Sequence, residues 1–528
     1  MDSDQSVLAN LGYKQEFRRD FSKIELFALS FNIVGVVQSI ASILVYSIPY
    51  GGPVSMVWGW LAGSIFLTCI GLTIAELGSS APTSGGLYFW THRFASPRYR
   101  NYLSWLIGYV NTVGYTSGVA GVDYSCAVAI LTAASISTDG TYVPTTGQIY
   151  GVFCALLLSH AFMASLPTKT LARAQIISII LNVGVFVAFI VAIPAATPRE
   201  LKNDAKFVFG HFENVSGYSN GFAFFMSLLA PLWSVGGFDS SVHISEEAKN
   251  ANTAVPFAIM ATTTLGCLFG FATILALTFN MGNDLISIIQ NPFDQPMALI
   301  LLNSLGQKGF YAFWAFIVIT LYLSGMDLLI ATSRQIFAFS RDGALPLSRV
   351  LYRISPITGT PVHAVLMGVF IAALWGLFGF AGVEALSAVF TSAVVCQYLC
   401  YCTPVISRFV GGQKFNPGPF YLGKLSGPIA TSATLFMLFM IVVLQFPVAP
   451  HPNAQTMSYT IVVVGGTIVL ASVYYFVSGR HWFVGPVVTL PSSKVERDNM
   501  SDDSVRSNAG SKKEGDTTTT VLYRQWSS

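Results

Sequence analysis

The chain has 528 residues, of which 53% are apolar and 10% charged, with a formal net charge of +3. Soluble domains carry about a quarter charged residues, so this composition is typical of an integral membrane protein. The net charge is too small to suggest a nucleic-acid partner, and seven cysteines inside apolar stretches do not indicate a secreted disulfide framework.

Twelve apolar stretches are long enough to cross a bilayer, which takes about 20 mostly apolar residues. They predict an all-α membrane protein whose twelve-helix domain covers residues 25–478, between cytosolic tails at 1–24 and 479–528. The second tail is rich in Ser, Thr, Asp and Lys, which predicts disorder. The predicted spans are residues 25–46, 53–75, 102–136, 147–166, 171–194, 221–248, 255–280, 310–339, 362–380, 385–407, 426–447 and 458–478.

The distribution of basic residues predicts the orientation. If both termini are cytoplasmic, 24 of the 28 Lys and Arg residues lie on the inner side and four on the outer side. This division agrees with the positive-inside rule, so both termini are expected in the cytoplasm. Asn214 begins an Asn-Val-Ser sequon in a loop that this topology places outside, which makes it a glycosylation candidate.

Two predicted spans contain helix-breaking sequences. The sixth stops at Val235-Gly236-Gly237-Phe238 and is followed by Asp239, and the first has a comparable weak point at "FNIVGVVQS". Paired interruptions at matching positions indicate a transporter substrate site, and they predict a five-plus-five inverted repeat with two additional helices and with helices 1 and 6 discontinuous. Free amides and carbonyls there suit a small zwitterion. The alternative is that the glycines only let helices pack closely.

Ionisable residues inside a membrane span are costly, and each one suggests a function. Asp239, Asp327 and Asp123 are therefore candidates for binding an amine or a coupling proton, and the alternatives are a helix cap for Asp239 and a protonated packing residue for the others. His160 is predicted to be a packing residue, because it is an isolated histidine in an apolar span. Residues near the predicted inner surface are gate candidates or, alternatively, structural or solvated groups: Glu76, Glu246, Glu247 and Lys249.

Four segments resemble a known family. "LGYKQEFRRDF", "AELGSSAPTSGGLYFW", "GFDSSVHISEEAKNANTAVP" and "SRQIFAFSRDGALPLSR" occur in the order found in the fungal GABA permease group of the amino acid–polyamine–organocation superfamily. The resemblance covers residues 11–485. It implies the inverted-repeat transporter fold, alternating access, and uptake of amino acids such as GABA, commonly driven by protons.

The resemblance also implies roles for individual residues. Trp233 would be an aromatic gate over the substrate, and Asp239 would take the position of an acid that handles protons or substrate. Asn182 aligns with a lysine that carries the coupling proton in bacterial members, and Gln38 stands where proline is expected. The unwound part of the first helix would be Val34, Gly35, Val36, Val37, Gln38 and Ser39, and the predicted substrate site adds Trp233, Gly236, Gly237, Phe238, Asp239 and Asp327.

The sequence also leaves alternatives to amino-acid import. Relatives in the same group carry choline or polyamines, and a nutrient-sensing receptor on a transporter fold is the alternative from another class. "GYSNG" at 217–221 matches a hydrolase string but lies in a loop, and without Walker or dinucleotide motifs neither an enzyme nor a cofactor is expected. The expected partners are a small amino compound, a proton and the lipid bilayer. The plasma membrane is favoured over the vacuolar membrane, and the sequence leaves the oligomeric state open.

Overall fold

The computed structural model describes residues 3–293, 295–453 and 457–490, and nearly all of their regular structure is helical. Within these residues, eleven helices are long and apolar enough to cross a membrane. The α-helices up to residue 210 are α1 (Ser3–Asn10), α2 (Lys23–Val34), α3 (Val36–Ile43), α4 (Gly52–Ser80), α5 (Gly86–Phe94), α6 (Arg100–Ser137), α7 (Thr146–Ala164), α8 (Thr168–Ala196) and α9 (Ala205–Gly210).

The second half of the chain is also built from helices. They are α10 (Asn220–Ser227), α11 (Leu229–Ser234), α12 (Ser240–His243), α13 (Ala251–Asn280), α14 (Leu285–Ile289), α15 (Pro296–Arg341), α16 (Ser348–Leu351), α17 (Val362–Gly376), α18 (Val383–Val410), α19 (Ser426–Val443) and α20 (Thr460–Val477). Short 3-10 helices are Leu44–Tyr46, Arg199–Leu201, Ser245–Glu247, Leu377–Ala381, Gly423–Leu425 and Gly479–His481. Two-residue strands β1 (Tyr50–Gly51) and β2 (Glu213–Asn214) pair antiparallel.

Local sequence signals explain where helices begin. The Ser22 hydroxyl accepts a hydrogen bond from the Glu25 N–H, and the Glu25 carboxylate accepts one from the Ser22 N–H. This capping box satisfies amides that would otherwise be free at the start of α2. Thr145 and Gln148 form the same motif at the start of α7.

Two predicted spans differ from the structure. The sixth, 221–248, falls into α10, α11 and α12, and its longest piece has eight residues, so it is not among the eleven long helices of the described chain. The eighth, 310–339, is part of the 46-residue α15, which bends at Gly306 with φ 66°. Glycine tolerates that positive φ, and the predicted start at residue 310 lies four residues after this bend.

The two ends of the described chain pack on one face of the protein, called here the terminal face. Lys14 N–H donates to the Thr489 hydroxyl, and Thr489 N–H donates to the Gly12 carbonyl. Phe21 forms a parallel bridge with Ala248, between α12 and α13. Residues 479–490 of the predicted tail are thus packed, and residues 491–528 lie outside the described residues.

Candidate functional site

The first interruption is at Gly35, between α2 and α3. Gly35 has φ 34° and ψ 83°, a left-handed conformation that favours glycine. The break frees backbone groups, and two hydroxyls satisfy carbonyls next to it: Ser39 Oγ donates to Val34 O at 2.6 Å and Ser324 Oγ to Ile33 O at 2.9 Å. The first three amides of α3, those of Val36, Val37 and Gln38, have no hydrogen-bond partner among the described residues.

The second interruption covers residues 235–239, between α11 and α12. Gly237 has φ 81°, and the chain turns there instead of continuing as a helix. The carbonyl oxygens of Leu232 and Trp233 lie 3.2 and 3.1 Å from the position of a Cβ at Gly236. The end of α11 therefore directs carbonyl groups toward the break, where the helix dipole is negative.

The two interruptions lie against each other. A Cβ added at Gly237 would be 2.7 Å from Cγ2 of Ile33, so glycine is needed for this close approach. The Ser240 hydroxyl donates to the Ser30 hydroxyl at 3.0 Å, which joins α12 to α2. The sequence places these breaks about 200 residues apart, and the fold brings them into contact.

A small cavity of about 40 Å³ adjoins both breaks. That volume holds about three or four water molecules at roughly 10–15 Å³ each. Its polar groups include the Tyr115 hydroxyl of α6, which also interacts with Asp239, and the Gln397 amide of α18. The cavity therefore offers a few hydrogen-bonding groups in an apolar surrounding, which suits a small polar solute.

Aromatic rings separate this cavity from a larger one on the face opposite the terminal face. Trp233 lines the small cavity, its Nε1 donates to Ser42 Oγ at 3.2 Å, and its ring packs edge-on against Phe390 at 4.8 Å between centroids. Phe390, Ser42 and Tyr46 line the larger cavity of about 390 Å³. Trp233 thus lies between the two cavities.

Asp239 lies behind the second break rather than in the cavity wall. Its side chain is fully buried, Oδ1 accepts a hydrogen bond of 2.7 Å from Tyr401, and Oδ2 is 3.9 Å from His243 Nε2. His243 Nδ1 is 2.8 Å from the Ser84 carbonyl, so Nδ1 carries a hydrogen and donates it. In the neutral imidazole, Nε2 is then an acceptor facing Asp239, and one more proton can be held between the two side chains.

Asp327 belongs to a chain of side-chain hydrogen bonds that crosses the first break. Gln175 donates to Asp327 Oδ1 at 2.7 Å and accepts from Asn32 at 2.8 Å. Asn182 donates to Asn32 at 3.1 Å and accepts from Gln38 at 2.6 Å. Helices α15, α8, α2 and α3 are thereby linked, and Asp327 Oδ2 remains without a partner among the described residues.

Three buried ion pairs lie near the terminal face. Their three glutamates are not solvated, although solvation was one of the alternatives for these residues. Arg341 contacts Glu246 at 2.9 and 3.1 Å, Arg334 contacts Glu247 at 2.7 Å, and Arg408 contacts Glu76 at 2.6 Å. All three glutamates are at most 1% exposed. Lys249, in contrast, is exposed, and no ion pair joins its side chain to a described residue.

Asp342 joins both ends of the described chain to α15. Its carboxyl accepts hydrogen bonds from the Tyr88 hydroxyl at 2.7 Å, the Tyr13 hydroxyl at 3.0 Å and the Val487 N–H at 3.0 Å. Burial raises the pKa of Asp342 to about 6, although Arg341 and these hydrogen bonds oppose the shift. Burial and the neighbouring Asp342 raise the pKa of Tyr13, which remains a donor.

Other predicted residues are distributed as follows. Of the segment Val34–Ser39, Ser39 borders the cavity, whereas Phe238, Asp239 and Asp327 do not line it. Asp123 is buried beside His160 at 3.0 Å, so His160 is not an isolated packing residue. Asn214 donates to Tyr218 O at 2.7 Å, and its glycosylation stays a prediction. Sequence reasoning missed Tyr115, Gln397, His243 and Gln175; of these, Gln175 and Gln397 were detectable as amides in predicted spans.

In the described part of the chain, eleven apolar helices and a small polar cavity beside two interruptions form the architecture of a multi-pass membrane protein. Residues 21–467 match the amino acid permease family, so the chain belongs to that family, whose members are transporters rather than enzymes. It is 36% identical to the GABA-specific permease of Saccharomyces cerevisiae, over 92% of this chain and 86% of that one. The resemblance to the fungal GABA permease group is confirmed.

Other relatives have similar coverage. An uncharacterized amino-acid permease of Schizosaccharomyces pombe is 38% identical over 92% of this chain and 88% of that protein. The amino-acid permease BAT1 homolog of Oryza sativa subsp. japonica is 34% identical over 93% of this chain and 96% of its own length. The similarity therefore extends over nearly the whole length of each relative.

Proposed function

We propose that this permease imports a small amino acid, GABA or a close relative, by proton symport with alternating access. The observation that carries the proposal is the contact of two interrupted helices at Gly237 and Ile33, beside a small polar cavity. An aromatic cluster closes one side of that cavity, and buried ion pairs lie toward the terminal face. The name of the yeast GABA-specific permease supports the choice of solute.

The architecture proposed is twelve crossings, with residues 220–247 as a discontinuous sixth and residues 23–46 as a discontinuous first. Helix contacts support a five-plus-five inverted repeat. The second crossing, α4, packs on the seventh, α13, and the third, α6, packs on the eighth, α15. The first crossing contacts the fifth through α2 and α8, as the sixth contacts the tenth through α11 and α18.

Both ends of a zwitterion find complementary groups at the breaks. The free amides of Val36, Val37 and Gln38 are at the positive end of α3 and suit a carboxylate. Carbonyl groups at the end of α11, with the Gln397 side-chain oxygen 3.4 Å from the Cβ position at Gly236, suit an ammonium group. An organic cation is less well supported, because no carboxylate of the described residues lines the cavity.

Two buried acids are proposed for proton coupling. Asp239 and His243 can hold one proton between them, next to the second break. Asp327 has a free Oδ2 and is connected through Gln175 and Asn32 to the first break. An ionised carboxylate without a partner is costly inside a membrane. Proton binding from the outer side therefore favours the state in which the substrate is bound and the cavity is closed. The positive-inside rule orients the terminal face toward the cytoplasm. The plasma membrane is the proposed site of action.

Uptake by purified protein in proteoliposomes tests the proposal. The panel contains radiolabelled GABA, basic amino acids, choline and polyamines, each with an imposed proton or sodium gradient, and empty liposomes are the control. We expect that a proton gradient alone makes GABA or a related amino acid accumulate inside the proteoliposomes. Accumulation driven only by sodium would refute coupling to protons. Preference for choline or polyamines would refute the proposed solute, and binding without accumulation would indicate a sensor.

A further inference from the structure

Asp123 of α6 and His160 of α7 form a buried pair away from the cavity wall. His160 Nδ1 is 3.0 Å from Asp123 Oδ2, and both side chains have no solvent exposure. The pair keeps two unused positions, because Asp123 Oδ1 and His160 Nε2 have no hydrogen-bond partner among the described residues. With one hydrogen, on Nδ1, the pair has a net charge of −1; a second proton on Nε2 makes it neutral.

The surroundings of the pair contain no basic side chain that could neutralise it. Among the described residues, His160 is the ion-pair partner of Asp123. The Tyr322 ring of α15 packs on the imidazole at 4.4 Å between centroids, and Cys126 of α6 bonds to the Val318 carbonyl of α15. On α15 the nearest acid, Asp327, is bonded to Gln175 of α8, and α17 carries one titratable residue, His363, near its start.

The pair packs against the segment of α15 that contacts the first break. A Cβ at Gly325 would overlap Asp123 Oδ1 and lie 3.1 Å from His160 Cε1, so α15 approaches the pair through a glycine. The preceding residue, Ser324, donates to the Ile33 carbonyl at 2.9 Å, and Leu328, one turn further, lines the cavity. A shift of α15 at Gly325 is therefore transmitted to the break and the cavity.

We propose that Asp123 and His160 are a proton-binding pair, distinct from the cavity, that positions α15 against α6 and α7 and so makes uptake pH-dependent. The inference rests on the proposed transport function and adds a third proton site to the two proposed at Asp239 and Asp327. When the pair is neutral, α6 and α7 hold α15 as described here. When it loses a proton, the buried negative charge favours separation at Gly325 and the entry of water.

The test compares Asp123→Asn, His160→Gln and the double variant with wild type, as initial uptake rates in proteoliposomes between pH 5 and pH 8 at saturating substrate. Ser159→Ala is the matched control, because its hydroxyl bonds within α7 and does not contact the pair. We expect both single variants to flatten the pH profile or shift its midpoint by at least about half a pH unit. The double variant should resemble the single ones, because the two residues act as a unit.

Each outcome has a definite meaning. Variants with lower maximal rates and the wild-type pH midpoint would overturn the inference, since a purely structural pair affects the amount and rate of transporter but not its titration. If wild type accumulates no amino compound at any pH, the proposed function fails instead. If a single variant does not fold, the double variant replaces it in the comparison, because its two amides can bond to each other. The ratio of its uptake rates at pH 5 and pH 8 is then compared with the wild-type ratio.

Discussion

Gln38 Nε2 donates a hydrogen bond of 2.6 Å to Oδ1 of Asn182. Asn182 also donates to Asn32 at 3.1 Å, so one residue of α8 is bonded to both sides of the break at Gly35. Asn182→Ala should lower the free energy of unfolding by about 1–3 kcal/mol, because buried amides lose partners. It should also reduce uptake, because the geometry of the break is no longer fixed.

Uptake rate and thermal unfolding of Asn182→Ala, Gln38→Ala and the double variant measure this effect. Asn303→Ala, an exposed change on α15, is the control. The double variant should be less impaired than the sum of the single effects, because the two residues share one hydrogen bond. Strict additivity, or wild-type uptake by Asn182→Ala, would contradict the assignment.

Asp239 accepts a hydrogen bond from Tyr401 and faces His243. Asp239→Asn keeps the shape of the side chain but cannot hold a proton. We expect it to abolish concentrative uptake or to remove its pH dependence, while the protein still inserts into the membrane. The control is Asp139→Asn, an exposed position outside the long helices. Accumulation driven by pH as in wild type would exclude Asp239 from coupling.

Gly237 allows the two breaks to touch, with φ 81° and Ile33 2.7 Å from the position of a Cβ. Gly237→Ala should stop transport, because alanine at a left-handed φ costs about 1–2 kcal/mol and its methyl group meets Ile33. Gly236→Leu, which adds bulk beside the cavity, should do the same.

The measurement for both glycine variants is uptake per correctly localised molecule. Gly151→Ala, on α7 with no heavy atom within 4 Å of the added Cβ, should transport normally and lose no stability. Normal transport by Gly237→Ala would mean that the contact between the breaks is not required.

Glu76 binds Arg408 through two hydrogen bonds of 2.6 and 3.1 Å and also accepts one from Ser426. Removing one member of a buried ion pair leaves an uncompensated charge and costs about 3–5 kcal/mol. Glu76→Gln should therefore lower the thermal midpoint of the detergent-solubilised protein strongly, whereas the exposed change Glu200→Gln should not. Equal midpoints for the two variants would show that this pair contributes little to stability.

Asp342 connects pH to the packing of both chain ends. Its pKa of about 6 lies above the ordinary value of 3.8 because of burial. The folded state thus binds this proton more tightly than the unfolded state, and the resulting stabilisation is complete below about pH 4 and lost as the pH rises through 6. Asp342→Asn lacks this titration, so its thermal midpoint relative to wild type should be higher at pH 7.5 than at pH 5. If the thermal midpoints of the two proteins changed with pH in parallel, the raised pKa of Asp342 would be refuted.

Much of the fold follows from composition and hydropathy, because a spanning helix must satisfy its own backbone and needs a recognisable length. The stretch at 221–248 shows the limit of this reasoning. Its apolar content is that of a span, yet it forms short helices, of which α11 and α12 are separated at Gly236 and Gly237. The glycines predicted an interruption there, but only the packing shows that it lies against Ile33.

The site was predicted less completely. Polar residues in predicted spans, such as Asp327 and Asp239, were identifiable because charge inside a membrane is rare. Their partners were not, because hydrogen bonds such as that between Asp239 and Tyr401 join residues 162 positions apart. Glu246 shows the same limit: its position near the predicted inner surface left a solvated face as an alternative, whereas the structure buries it in an ion pair with Arg341 from a distant helix.

The bridge between Phe21 and Ala248 packs the N-terminal segment before α2 against the terminal face. Phe21 N–H donates to the Glu247 carbonyl and Phe21 O accepts from the Lys249 N–H, while the Arg341 guanidinium stacks on the Tyr13 ring at 3.7 Å. If the solute leaves through this face, the N-terminal segment lies over its exit. A tag attached at the N-terminus, or an enzyme that modifies residues 3–22, would then act on the exit as well as mark the protein.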